Sequence, residues 1–178
     1  KIKNKEISKL YDGNGAKRIV EYFTDKINFG NIKIKEARAK DKYFLFKLFN
    51  DLTVIKNSLQ QKKVTFKNHE KWFIKKINSK KSKIYIFKYK NLNLGQARLD
   101  KVKFNEVLIT YSVSNEFRGK GVGYKIVKFL YDKVPKGTYI SAKVKKNNLA
   151  SKKIFNKLNF NLKNGNNKNN YLDYQLKK

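Results

Sequence analysis

Hydrophobic positions recur along this chain with two different periods, and the order of those periods predicts the secondary structure. Segments with a period of two predict β-strands over residues 31–37, 82–89, 92–99, 107–113, 138–144 and 171–176, with a short strand starting at Phe160. Segments with a period near 3.6 predict α-helices after Asp41, over 66–77, over 126–134 and after Asn148. The polar residues within 50–58 predict an irregular connection between the first two helices.

This order of elements is a strand, two helices, three strands, a helix, a strand, a helix and two strands. It predicts a mixed α/β sandwich over residues 30–178, and 40% hydrophobic content is enough for one buried core. Residues 1–29 stand apart as an N-terminal extension, with a turn signal, a helix-like stretch and a break before Asn31. The chain begins at Lys1 and contains no methionine, so we expect either a fragment of a longer polypeptide or a chain that was trimmed at its start.

The charge balance is strongly basic, because 44 Lys and Arg residues against 13 Asp and Glu residues give a formal net charge of +31. Such a charge suggests a nucleic acid or another polyanion as a partner. However, almost all of the basic residues are lysines, whereas phosphate-reading surfaces favour the planar fork of arginine. Abundant Lys, Asn and Ile also fit AT-rich codon usage. A solvated lysine surface is therefore the preferred interpretation, and no nucleic-acid partner is predicted.

Other classes of protein are disfavoured by residue types that the sequence lacks. There is no cysteine and only one histidine, His69, so neither a disulfide framework nor a metal site is predicted. No apolar run approaches the roughly 20 residues that span a bilayer, and the first residues do not form a signal peptide. The expectation is a cytoplasmic protein without a membrane partner.

The strongest chemical signal is the glycine-rich segment between the strand 107–113 and the following helix. Glycines alternate at positions 119, 121 and 123, and Arg118 and Lys120 stand among them. Glycine lets the backbone approach a ligand closely, and the first N–H groups of a helix form an anion site with the helix dipole. The segment therefore predicts a pyrophosphate cradle. Its Gly-x-Gly-x-Gly spacing matches neither a dinucleotide fingerprint nor a Walker loop.

The segment 113–123 resembles the acetyl-CoA motif of the GNAT superfamily of N-acetyltransferases, whose Arg/Gln-x-x-Gly-x-Gly/Ala core matches Arg118, Gly121 and Gly123. The resemblance covers about residues 31–176. It implies a central mixed, mostly antiparallel sheet of six or seven strands flanked by helices, and acetyl-CoA as co-substrate. The implied cofactor-binding residues are Tyr111, Ser112, Val113, Arg118, Gly119, Lys120, Gly121, Val122, Gly123, Tyr124, Asn148 and Ser151.

In such an enzyme the N–H groups of 119–124 would hold the pyrophosphate, and the strand end 111–113 would pair with the pantetheine arm. The thioester would enter a splay between the strands 107–113 and 138–144. Two positions depart from the family pattern. Phe155 stands where the family often has a tyrosine that acts as general acid, and Asn159 stands where it usually has a glycine. Asparagine tolerates a left-handed conformation, so this turn is expected to survive.

A second group of motifs lies between residues 50 and 73: Asn-Asp-x-x-Val, Asn-Ser and His-x-x-Trp-Phe. It resembles the branch that acetylates nucleotide-linked amino sugars in bacterial surface-glycan synthesis, with pseudaminic-acid-type pathways as the nearest likeness. The implied substrate-binding residues are Asn50, Asn57, Ser58, His69 and Trp72. The alternatives are a protein or peptide N-acetyltransferase and a non-enzymatic basic nucleic-acid-binding domain. Trp72 also fits a plain core position, and His69 also fits a surface or capping role.

Residues 12–19 resemble the tail of a UDP-sugar hydrolase of the same kind of pathway, which implies a hydrolase domain upstream in the same polypeptide. For the chemistry we expect direct transfer, with a backbone N–H near Val113 polarising the thioester carbonyl. The candidate bases are His69, Tyr111 and Glu106. His69 or a chain of waters is preferred, because the pKa of histidine lies near neutrality and Glu106 faces away from residues 107, 109, 111 and 113, which share the other face of its strand.

Overall fold

A computed structural model describes residues 31–163 and 170–178, so the predicted N-terminal extension lies outside the described residues. Seven strands form one sheet in the order β1-β2-β3-β4-β5-β7-β6. The strands are β1 Ile32–Glu36, β2 Ser82–Tyr89, β3 Leu92–Lys103, β4 Glu106–Val113, β5 Tyr139–Lys145, β6 Asn161–Leu162 and β7 Tyr171–Lys177. Only the β4–β5 pair among these strands is parallel. The predicted mixed, mostly antiparallel sheet is confirmed.

The helices in the described ranges are α1 Lys42–Phe49, α2 Leu52–Asn57, α3 Phe66–Ile77, α4 Val122–Lys133 and α5 Leu149–Lys157. The short helix α2 corrects the expected irregular connection. It forms because the Asp51 carboxylate accepts a hydrogen bond from the Val54 N–H at 3.0 Å and so caps its first turn. The expected left-handed turn at Asn159 is confirmed, with φ at 59°. None of the described helices is long and apolar enough to cross a membrane.

Two hydrophobic cores lie on opposite faces of the sheet. The larger core packs α4 and α5 onto one face, and its fully buried side chains include Ile109, Ile126, Leu130 and Phe155. The smaller core packs α1 and α3 onto the other face around Leu45, Phe73 and Ile84. The alternation of side chains along each strand explains this division, because successive residues point to opposite faces.

The parallel strands β4 and β5 pair over only three residues each, from Glu106–Leu108 to Tyr139–Ser141. Beyond this point β4 continues beside β3 as far as Val113, while β5 continues beside β7 as far as Lys145. Each strand thus follows its other neighbour, and a gap opens between their carboxyl ends. The predicted splay between these two strands is confirmed.

Candidate active site

The backbone of β4 presents hydrogen-bonding groups to this gap. Towards β5, the Asn105 carbonyl accepts from the Tyr139 N–H at 2.8 Å, and the Val107 carbonyl accepts from the Ser141 hydroxyl at 3.1 Å. Because backbone direction alternates along a strand, the N–H and C=O groups of the odd-numbered residues 109, 111 and 113 point the same way. This edge of β4 can pair with an extended ligand in the gap.

The glycine loop brings the start of α4 to the open end of the gap. Gly119 and Gly121 both have φ at 77°, a left-handed conformation that favours glycine over residues with a side chain. The helix begins at Val122, and the first helical hydrogen bond runs from the Lys125 N–H to the Gly121 carbonyl. The N–H groups of 122–124 precede that bond, so the dipole end of α4 fits a pyrophosphate as the sequence predicts.

Gly123 serves a different purpose from the other two loop glycines. A Cβ atom at this position would lie 3.0 Å from the Cδ1 atom of Ile154 and 3.2 Å from the Cε2 atom of Tyr111. The missing side chain therefore lets α4 pack closely against the Tyr111 ring and α5. Through this contact the loop fixes the side chain of Tyr111.

The guanidinium group of Arg118 is hydrogen-bonded to three groups of the protein. Its Nε donates to the Val113 carbonyl at 3.1 Å, its Nη1 to Asn115 at 2.9 Å and its Nη2 to the Asp51 carboxylate at 2.6 Å. These bonds engage the guanidinium group with the protein, and binding of the cofactor by Arg118 stays a prediction. The guanidinium group ties the end of β4 to the start of α2.

The other end of α2 is attached to the opposite strand. Lys145, the last residue of β5, is 4% exposed, and its Nζ donates to the Lys56 carbonyl at 3.0 Å. Arg118 beside the end of β4 holds the first turn of α2, and Lys145 holds its last turn, so α2 spans the mouth of the gap. Sequence reasoning missed Lys145, because a single lysine in a chain so rich in lysine carries no distinguishing signal.

The start of α5 lies across the gap from β4. The Asn148 side chain caps α5 by accepting from the Ser151 N–H at 3.1 Å, and the helix predicted after Asn148 is confirmed. The Ser151 hydroxyl lies 2.8 Å from the Tyr111 hydroxyl. Burial raises the pKa of Tyr111, and the hydrogen bond with Ser151 offsets this only in part. Tyr111 is therefore a protonated phenol at neutral pH.

The remaining cofactor-binding candidates surround the same region. Val122 is buried beneath the loop, and Lys120 and Tyr124 are half-buried at its surface, with the ammonium group of Lys157 5.0 Å above the Tyr124 ring. Ser112 and Val113 end β4 opposite β3. Phe155 is 2% exposed and packs on Phe160 and Tyr174, so the position of the family's usual tyrosine is part of the core.

The predicted acceptor-binding residues do not form one cluster. The Asn50 side chain forms two hydrogen bonds with the backbone of Val64. Its Nδ2 donates to the Val64 carbonyl at 3.0 Å, and its Oδ1 accepts from the Val64 N–H at 2.9 Å. The Ser58 hydroxyl donates to the Ile55 carbonyl and accepts from the Gln61 N–H, both at 3.0 Å. These contacts hold the turns that flank α2. Asn57 is half-buried as the last residue of α2.

His69 and Trp72 belong to an aromatic cluster between α1 and α3. His69 is 2% exposed, its ring lies within 6.1 Å of four aromatic rings, and its Nε2 atom is buried without a hydrogen-bond partner. Trp72 also lies 5.3 Å from the Arg98 guanidinium group. Catalysis by His69 stays a prediction, and this enclosed position disfavours it. Glu106 starts β4 at the opposite end from the gap, 3.8 Å from Lys163.

We expect His69 to make folding stability depend on pH. Burial lowers its pKa from the usual 6.5, although a hydrogen bond with the Lys42 backbone opposes the shift. Below pH 6.5 the unfolded chain binds a proton that the folded chain resists, so the free energy of unfolding falls, by at most about 1.4 kcal/mol per pH unit. Urea unfolding at pH 7.5 and 5.5 should show this loss, and His69→Phe should reduce it. An equal loss of stability in His69→Phe would contradict the attribution of this pH dependence to His69.

Comparisons with known proteins agree with this geometry. Residues 31–161 match the family model described as "Acetyltransferase (GNAT) domain". A search of curated proteins gives no match. The fold is shared with yncA of Salmonella typhimurium, solved with its cofactor acetyl-CoA, at 19% identity and a TM-score of 0.67, over 83% of this chain and 94% of that one.

Two further solved structures show the same fold. Ribosomal-protein-alanine N-acetyltransferase of Brucella melitensis is 16% identical with a TM-score of 0.67, over 82% of this chain and 99% of that one. Spermidine N-acetyltransferase of Vibrio cholerae, in complex with CoA and spermine, is 12% identical with a TM-score of 0.68, over 82% and 94%. At these identities the likeness establishes the fold, and the family match decides against the non-enzymatic alternative. The chain belongs to the GNAT acetyltransferase family and is an acetyl-CoA-dependent N-acetyltransferase.

Proposed function

We propose that this enzyme acetylates the amine of a nucleotide-linked amino sugar, the acceptor class of bacterial surface-glycan synthesis. The observation that carries the proposal is that three carboxylates on the side of the sheet covered by α1–α3 form ion pairs with lysine or arginine side chains. Asp51 is paired with Arg118, Glu70 with Lys42, and Asp100 with Lys76 and Arg98, with N–O distances of 2.5–2.8 Å. These three acids are therefore neutralised within the protein.

The Asp100 site illustrates how firmly these acids are held. Burial by itself would raise the pKa of Asp100, but hydrogen bonds from Lys76 and Ser82 and the charge of Arg98 outweigh it and lower the pKa. An ionised, fully paired carboxylate offers little to a cationic acceptor. The chain as a whole carries +31, so its field attracts a diphosphate and repels a polyamine. This balance favours an anionic acceptor such as a sugar nucleotide.

The chain's own groups account for the transfer in outline. The N–H groups at the start of α4 bind the pyrophosphate, and the exposed edge of β4 binds the arm of acetyl-CoA, which supplies an activated acetyl thioester. An N–H near Val113 polarises the thioester carbonyl while the neutral amine attacks. Positioning of the two substrates in the gap contributes most of the rate. The proton that leaves the nitrogen passes to water, since His69 is enclosed.

The acceptor is tested by comparing four amines under one set of conditions: a UDP-linked amino sugar, the same amino sugar without its nucleotide, spermidine, and a short peptide with a free N-terminus. We expect kcat/KM for the nucleotide-linked sugar to exceed that for the free sugar at least about tenfold, because the diphosphate adds charge-assisted contacts. Added salt should raise its KM. A preference for spermidine or for the peptide would contradict the proposal, and the peptide result would support the protein-acetylating alternative.

A further inference from the structure

The Tyr111 side chain reaches across the gap where transfer is expected to occur. It projects from β4 on the side of α4 and α5, and its hydroxyl meets Ser151 in the first turn of α5 at 2.8 Å. Its ring is confined by the close approach of Gly123 and by an edge contact with Phe155, with ring centroids 6.3 Å apart. The hydroxyl is therefore held at the first turn of α5, on the face of the sheet that α4 and α5 cover.

The transfer requires a proton at the sulfur that leaves the acetyl group. When the amine attacks, the C–S bond breaks and its electron pair moves to sulfur. A thiolate is costly wherever protein surrounds it, because burial disfavours the charged form. A neutral proton donor beside the sulfur would therefore accelerate the step.

We propose that the Tyr111 hydroxyl protonates the departing thiolate, with the Ser151 hydroxyl as the partner that orients it. The proposal rests on acetyl transfer taking place in this gap. In this arrangement Ser151 donates its hydrogen bond to the Tyr111 oxygen, which leaves the phenol proton directed to the sulfur. Tyr111 thus supplies the acid that Phe155 cannot.

The proton balance closes without a further reactant. The nitrogen–carbon bond forms as the carbon–sulfur bond breaks, and the phenol proton passes to sulfur to give a neutral thiol. The ammonium proton of the attacking nitrogen is released to water, and the Tyr111 phenolate regains a proton from water or through Ser151. The enzyme returns to its starting state with one amide and one thiol formed.

The other ionisable candidates fit this role less well. His69 is enclosed in the aromatic cluster, and Glu106 lies about 17 Å from Tyr111 along β4, at the far end of the strand. The raised pKa of Tyr111 keeps the phenol protonated at neutral pH, as a proton donor must be.

The decisive variant is Tyr111→Phe, which removes the hydroxyl and keeps the ring. We expect kcat with the UDP-linked amino sugar to fall about 100-fold or more, while the Kd for acetyl-CoA changes less than about threefold. Ser151→Ala should lower kcat by about tenfold. Tyr139→Phe is the matched control, because it makes the same change at the closed end of the parallel pair. Its kcat should equal that of the wild type.

A second measurement needs no acceptor and so separates this proposal from the choice of substrate. The thiol of bound CoA is titrated by the ultraviolet absorbance of its thiolate. Loss of the Tyr111 hydrogen bond should raise the pKa of the bound thiol by about one unit, whereas Tyr139→Phe should leave it unchanged. An unmoved thiol pKa, or a Tyr111→Phe kcat within threefold of the wild type, would overturn the proposal. An inactive wild type with a shifted thiol pKa would instead count against the acceptor class alone.

Discussion

Replacing Gly121 with valine is expected to weaken acetyl-CoA binding by about 100-fold or more. Gly121 has φ at 77° and is the residue from which α4 starts. A residue with a side chain is strained there by about 1–2 kcal/mol, and a β-branched residue by more. The loop would relieve the strain by turning the first N–H groups of α4 away from the pyrophosphate. Charge-assisted hydrogen bonds contribute about 1.5–3 kcal/mol each, and two of them account for this loss of affinity. Titration calorimetry with acetyl-CoA measures it.

Gly137 provides a matched control for this variant. It has φ at 80°, and a Cβ atom there would meet nothing within 4 Å. It lies just before β5, at the opposite end of that strand from the gap. Gly137→Val should therefore lower the free energy of unfolding about as much as Gly121→Val, while acetyl-CoA binding stays at the wild-type level. Equal losses of affinity in the two variants would mean that general destabilisation, rather than the cradle, explains the effect.

Replacing Arg118 with alanine is expected to lower the free energy of unfolding by about 1–3 kcal/mol, with a loss of acetyl-CoA affinity of no more than about tenfold. The guanidinium group holds Val113, Asn115 and Asp51 together, and the side chains of Arg118 and Asp51 are each 25% exposed. Its removal frees the start of α2 from the end of β4. Lys128→Ala is the control, because its ion pair with Asp132 lies exposed on one helix and should contribute little to stability.

A double-mutant cycle isolates the link between the two elements. Asp51→Asn keeps an oxygen that can cap α2, and Arg118→Lys keeps a positive charge without the planar fork. We expect a coupling free energy of about 1 kcal/mol or more between them in urea unfolding. Unchanged stability together with a 100-fold loss of acetyl-CoA affinity in Arg118→Ala would show instead that Arg118 binds a phosphate, as its place in the motif suggests.

The cofactor half of the site could be predicted from sequence because its parts are neighbours along the chain. The strand 107–113, the alternating glycines and the amphipathic helix follow one another directly, so local rules describe how they turn and where N–H groups remain open. The Asn148 cap is equally local, since the bond spans three residues. The order of the strands along the chain could also be predicted from the sequence, because each strand has its own alternation of hydrophobic and polar positions.

The acceptor half could not be predicted in the same way, because its contacts join distant segments. Asn50 looks like a free polar side chain in the sequence, yet Val64 uses both ends of its amide group. His69 looks like a candidate base, yet the packing of α1 on α3 encloses it in aromatic rings. Periodicity identifies which face of a helix is apolar, but it does not say which polar residue that face will enclose.

By itself, the sequence determined a mixed α/β domain with an anion cradle at the start of α4, because those features depend on residue spacing, and the resemblance of residues 113–123 to the GNAT motif indicated the acetyltransferase family. The tertiary structure decided the rest of the site. It brought Tyr111 to Ser151 across 40 positions, and joined Arg118 to Asp51 across 67 and Lys145 to Lys56 across 89. Such pairs form only when the sheet has assembled and β4 and β5 have diverged, since hydrogen bonds and ion pairs depend on distance in space rather than along the chain.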